Sequence, residues 1–161
     1  MLRHLLEFPG VAVLQNSHPL IVHFPLAFLT GATAVYLAAA IARRESWAWA
    51  AFWMLALGAL GATAAVRTGL AAGHSVMIAP SVRAHLLIHH EHLMLTAWGL
   101  SLILLAWAII ARPMPRRGAF IFLALLLVMT AALVKGEDYG AWMVFGYNAG
   151  GSLPQPIEFS P

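Results

Sequence analysis

The sequence predicts an all-α fold: an integral membrane four-helix bundle with both termini on the outer, periplasmic side. Three observations predict it. Hydrophobic residues make up 61% of the 161-residue chain and charged residues only 9%, the balance of a chain that lives in lipid. The apolar residues gather into four runs, roughly 20–42, 47–66, 93–111 and 118–134, each close to the ~20 residues a helix needs to cross the hydrocarbon core. Basic residues punctuate the runs, with Arg43 and Arg44 between the first two and Arg112, Arg116 and Arg117 between the last two. By the positive-inside rule those connections face the cytoplasm, and four spans then put both termini and the stretch from Arg67 to His92 outside. The predicted location is the bacterial inner (cytoplasmic) membrane, with the whole chain, 1–161, as one transmembrane domain.

Each element has its own justification. The opening LRHLLEFPGVAVLQ is broken by Pro9 and Gly10 and has no small-residue cleavage pattern, which predicts an interfacial segment and not a signal peptide. In the first run His23, Ala27, Thr30 and Ala34 make one helical stripe, an imidazole followed by small residues. The second carries Gly58, Ala62, Ala65, Gly69 and Ala72 along one side, the pattern for close approach of another helix. The third aligns His85, His89, His92, Thr96 and Gly99 at spacings of four, three, four and three, one face of a helix. After Lys135 the glycines and prolines of GEDYGAWMVFGYNAGGSLPQPIEFSP predict an outer-surface tail, 135–161, lying over the histidines with Tyr139 and Tyr147 near them.

Composition also excludes. With no cysteine, disulfides, thiolate metal sites, iron–sulfur ligation and covalent c-type haem attachment are ruled out. The pI of about 10.0 reflects basic residues clustered at span ends, so topology explains it and nucleic acid does not. No HExxH occurs, and Ser75 and Ser101 lack a nucleophile elbow, so the chain is not expected to be an enzyme by itself.

Seven of the eight histidines, His18, His23, His74, His85, His89, His90 and His92, fall where apolar segments meet polar ones. A helix rises ~1.5 Å per residue, so depth can be counted from the cytoplasmic edges. Nineteen residues from Ala42 reach His23, and nineteen from Ala111, Ala48 and Gly118 reach His92, Arg67 and Glu137. Ionisable groups at that depth are costly and usually serve a function. Two imidazoles on different helices with small residues beneath them are what bis-histidine b-type haem requires. His23 and His92 are the expected ligands, with His89 in reserve, Arg67 and Arg83 for the propionates, and Thr30, Thr96 or Glu91 for the second imidazole N–H. Gly99 would leave room for the ring, and a second haem could use His18 or His85 with His89. His4, His74 and His90 are read as structural, His90 because it lies off the stripe.

The expected function is therefore membrane electron transfer near the periplasmic face. Three alternatives compete: a copper or zinc site on His85, His89 and His92 with Met77 or Met94; quinol oxidation with a histidine and Glu137 or Asp138 as proton acceptors; and a cofactor-free accessory subunit of a larger respiratory or photosynthetic complex.

The segments H18-P-L-I-V-H-F-P-L-A-F28, R67-T-G-L-A-A-G73, H92-L-M-L and G140-A-W-M-V-F-G-Y-N-A-G-G151 resemble the DUF2231 family of predicted bacterial membrane proteins over nearly the whole chain. The resemblance implies four transmembrane helices. From the family's fusions to c-type cytochromes and Rieske-like modules it also implies a redox setting. His18, Pro19, His23 and Pro25 match the family's first motif, and His92 best matches its third-helix histidine. A redox partner here, a c-type cytochrome or a Rieske-like protein, is expected to be a separate periplasmic or membrane-bound chain, with membrane lipid as the other partner.

Overall fold

The computed structural model describes residues 16–150; the predicted interfacial segment and the final PQPIEFSP lie outside them. The described chain forms four helices long and apolar enough to cross a membrane: α1 (His18–Ala42), α2 (Glu45–Ser75), α3 (Pro80–Ala111) and α4 (Ala119–Gly146). It is an all-helical, multi-pass membrane protein. A first turn of α1, His18–Ile21, passes through Val22 into the main helix His23–Ala42. α3 includes a π-helical stretch, Arg83–Leu87, and α4 ends in another, Trp142–Gly146.

Three helices outrun their hydropathy-defined spans. α2 continues past Arg67 to Ser75, α3 starts at Pro80 instead of near residue 93, and α4 passes through Lys135, Gly136 and Gly140 to Gly146. A helix satisfies its backbone within itself, so leaving the hydrocarbon is no reason to stop. What ends α2 is an extended Val76, and what starts α3 is a proline in the first turn, where its missing N–H costs nothing.

α1 packs most extensively on α2 and α3 on α4, with α2–α3 and α1–α4 contacts closing the square. Short connections force this up-down-up-down order. The inward rows alternate spacings of four and three, the ~3.5-residue period of nearly parallel packing. Along α1 the row is His18, Val22, Pro25, Leu29, Ala32, Tyr36 and Ala39, buried from Pro25 onward. Along α3 it is His90, Met94, Ala97, Ser101, Leu104 and Ala108, of which the last four are buried. α2 presents Leu55, Gly58, Ala62, Ala65, Gly69 and Ala72, so the small-residue side predicted for it is the contact side. A Cβ at Gly58 would come within 2.6 Å of Leu29 Cδ2 and 3.1 Å of its backbone nitrogen, which is how closely α1 and α2 approach. α4 contributes Phe122, Leu126, Met129, Leu133, Gly136 and Met143.

Polar ties cross the apolar core at three levels. The Tyr36 hydroxyl donates to the Pro113 carbonyl at 3.0 Å, Thr33 and Thr130 share a hydroxyl bond of 2.8 Å, and Trp98 Nε1 donates to Thr63 Oγ1 at 3.0 Å. Bonds of this kind between membrane helices contribute roughly 0.6–2 kcal/mol each. Large apolar side chains face outward instead, with Ile41, Ile110, Phe120 and Phe145 all above 80% exposed, as lipid contact allows. Trp47, Trp49, Trp53 and Trp142 are exposed as well, in keeping with an aromatic belt.

Candidate functional site

At the histidine end of the bundle the four helices line a partly open cavity of about 570 Å³. Its polar lining comes from His18 and His23 of α1, His90 and Glu91 of α3, Glu137 of α4, and Asn16; its walls are apolar, including Pro25, Leu29, Ala62, Val66, Met94, Trp98 and Leu133. Met143, Val144 and Phe145 at the end of α4 are part of its lining, so the first part of the predicted tail is helical.

Two of the imidazoles are seated by glycines on the neighbouring helix. His18 lies over Gly69 of α2, where a Cβ would stand 2.9 Å from His18 Cε1. His90 lies over Gly140 of α4, where a Cβ would stand 3.2 Å from His90 Cε1. Each ring is also oriented through Nδ1. His90 Nδ1 donates to the Gly136 carbonyl at 2.7 Å, which fixes the tautomer with a lone pair on Nε2. His18 Nδ1 is 3.1 Å from Thr68 Oγ1. Thr68 Oγ1 also lies 3.1 Å from both the Ala64 and the Ala65 carbonyl. With its hydroxyl hydrogen on either carbonyl, Oγ1 accepts from Nδ1–H, the tautomer that leaves the lone pair of His18 on Nε2. His18 and His90 stand within electrostatic reach of each other, and Glu137 within reach of both His90 and His23.

The expected residues divide between this cavity and the outside. His23 and His18 line it, His18 half-buried and His23 exposed at its edge. His92 does not: it is exposed, as are His85, His89 and Thr96, so the predicted α3 stripe is a real row that faces out. The stripe was identified by its polar and small residues, whereas the inward row is the adjacent one, which continues from His90 into buried Ala97 and Ser101. His89 donates from Nδ1 to the His85 carbonyl at 2.7 Å and its ring stacks on Tyr139 at 5.6 Å. No group of three or more His, Cys, Asp or Glu side chains among the described residues converges as a metal site would.

Arg67 is exposed and outside the cavity lining. Arg83 Nη1 donates to the Gly73 carbonyl at 2.8 Å and ties α3 to α2. The two threonines expected to steady an imidazole bond their own helices: Thr30 Oγ1 reaches the Leu26 carbonyl at 2.6 Å and Thr96 Oγ1 the His92 carbonyl at 2.8 Å. Thr68 takes that part. Gly99 meets nothing within 4 Å of a built Cβ, so it shapes no slot. The residues that sequence reasoning missed are His90, Thr68, Gly69 as a ring seat, and Gly140. The detectable signal was the row from His90 through Ala97, Ser101 and Leu104.

No curated protein and no solved structure matches the chain. A family profile described as a predicted membrane protein, DUF2231, matches residues 15–152, which takes in all four helices and every residue of the cavity. The chain belongs to the DUF2231 family of predicted membrane proteins.

Proposed function

We propose that this protein is a membrane electron-transfer protein whose cavity would hold one b-type haem through His18 and His90. The observation that carries the reading is the matched pair of imidazoles on opposite hairpins. Each has Nδ1 within hydrogen-bond distance of a neighbouring helix, and both line one apolar-walled cavity, so the Nδ1–H tautomer would present Nε2 for ligation. A second shell that holds the distal nitrogen and orients the ring is what iron-ligating histidine needs. A bound haem supplies a reversible one-electron couple. Leu29, Trp98 and Leu133 would wall a bound ring, the Nδ1 partners hold the imidazoles in place, and Glu137 and His23 stand at the polar end, where they can take a proton. The loop arginines at the other end support a periplasmic face for this one, in the bacterial inner membrane to which we assign the protein. A c-type cytochrome or a Rieske-like protein is the partner we assign to it there.

The test is the absorption spectrum of the purified protein, oxidised and dithionite-reduced, with haem counted per chain. A six-coordinate b-type spectrum is expected in the wild type and in His92→Ala. It should be lost or turned five-coordinate in His18→Ala and His90→Ala. A colourless wild type prepared with haem in excess would refute the reading, and loss in His92→Ala with retention in His90→Ala would refute the ligand assignment.

One observation favours a second reading. Among the described residues two carboxylates, Glu91 and Glu137, line the imidazole end and no arginine does, a poor match for propionates but a good one for a neutral quinol giving up protons. Quinone analogues binding a colourless protein, with loss in Glu137→Gln, would select it.

A further inference from the structure

The opposite end of the bundle holds a second cavity, of about 590 Å³, between the α1–α2 turn and the α3–α4 connection. Five arginines line it, Arg43, Arg44, Arg112, Arg116 and Arg117, against one carboxylate, Glu45. None of their guanidinium groups makes a hydrogen bond or ion pair among the described residues. The basin has a fixed floor: the Pro113 carbonyl is held by the buried Tyr36 hydroxyl at 3.0 Å, and Trp107 of the same lining packs edge-on to Phe122 at 5.7 Å. Positive charge at a span end is explained by topology alone. Topology does not call for the five charges to surround one concave site.

The surroundings of the basin say what kind of anion fits. Ile41, Ile110 and Phe120 are 84%, 83% and 84% exposed, and each lies within two residues in sequence of the basin lining or of the glycine that closes the α3–α4 connection. A free phosphate would use the arginines and leave these exposed apolar neighbours in sequence unused. An amphiphile would use both, with its phosphodiester among the guanidinium groups and its acyl chains along the flanks of α1, α3 and α4. Arginine forks suit phosphate oxygens, and basic pockets between transmembrane helices are a known way to hold anionic headgroups.

We propose that the arginine basin binds the phosphodiester headgroup of an anionic phospholipid. The site is independent of the haem reading, since it lies at the other end of the bundle and shares no residue with the histidine cavity.

Native mass spectrometry of the full chain in micelles containing phosphatidylglycerol and phosphatidylcholine in equal amounts tests it. One tightly held phosphatidylglycerol is expected, preferred at least tenfold over phosphatidylcholine and not displaced by millimolar inorganic phosphate. Each arginine near an anionic headgroup is worth roughly a fivefold change in binding, so R112Q/R116Q/R117Q should weaken retention about a hundredfold. R43Q/R44Q, on the other wall, should weaken it about twentyfold and stands in if the triple variant does not fold. Equal retention of the two lipids, unchanged retention in a folded variant, or displacement by free phosphate would each overturn the proposal.

Discussion

Replacing Gly69 with alanine tests the imidazole seat more sharply than deleting the imidazole. The new Cβ would stand 2.9 Å from Cε1, 3.3 Å from Nδ1 and 3.4 Å from Nε2 of His18, so it presses on a whole edge of the ring. Ordinary carbon contacts are ~3.5–4.0 Å, which requires the ring to retreat by roughly half an ångström or more. Thr68 is the preceding residue on α2, so retreat from Gly69 lengthens the 3.1 Å bond to Thr68 toward breaking. That bond is worth about 1 kcal/mol, and loss of a ligand's orienting partner typically costs ~10–100-fold in metal affinity. The helix itself gains, because alanine is favoured over glycine by roughly 1 kcal/mol in a helix interior. The expected outcome is separation: haem affinity falls ~10–100-fold while the apoprotein melts no lower than wild type. Soret titration of the apoprotein, paired with circular-dichroism melts, measures both. Gly99→Ala is the control, since it carries the same propensity gain with nothing within 4 Å of its Cβ. Affinity within twofold of wild type in Gly69→Ala would refute the seat.

Other consequences follow from the same geometry. With haem bound as proposed, Glu137→Gln would remove a carboxylate near the imidazoles and should destabilise the oxidised, more positive iron by on the order of 1–2 kcal/mol. Redox titration should then find the midpoint potential raised by about 40–90 mV, and an unchanged or lowered potential would place Glu137 out of the iron's field. Tyr36→Phe leaves the buried Pro113 carbonyl without its 3.0 Å donor, a loss of roughly 1–3 kcal/mol. Chemical denaturation should show it, with the haem spectrum unchanged.

The fold was legible in the sequence because hydropathy and loop charge act locally. A run of apolar residues crosses the membrane whatever its neighbours do, and Arg43, Arg44, Arg112, Arg116 and Arg117 mark the turns in any arrangement of the helices. The contact side of α2 was legible as well, since Gly58, Ala62 and Gly69 matter through their size. Which face of α3 turns inward was not legible. In water the inward face is the apolar one, but in lipid both faces are apolar, and the choice falls to packing that only the partner helix defines. His92 and His90 differ by two positions, and the preference for His90 comes from two glycines and a carbonyl on α4. The helix ends failed for a related reason: Arg67 and Lys135 mark where hydrocarbon ends, and α2 and α4 continue beyond it.

The two glycine-seated imidazoles relate the halves of the chain to each other. Adding 72 to the inward row of α1 turns His18, Val22, Pro25, Leu29, Ala32 and Tyr36 into His90, Met94, Ala97, Ser101, Leu104 and Ala108. Adding 71 to that of α2 turns Ala51, Leu55, Gly58, Ala62, Gly69 and Ala72 into Phe122, Leu126, Met129, Leu133, Gly140 and Met143. The chain thus has two helical hairpins of matching register, each bringing one histidine and one glycine seat to a cavity that both line. Residues 76–79, the only backbone joining the halves, then serve as a tether. Two polypeptides cut there and co-expressed should find each other in the membrane and rebuild the cavity, while either half by itself should bind nothing.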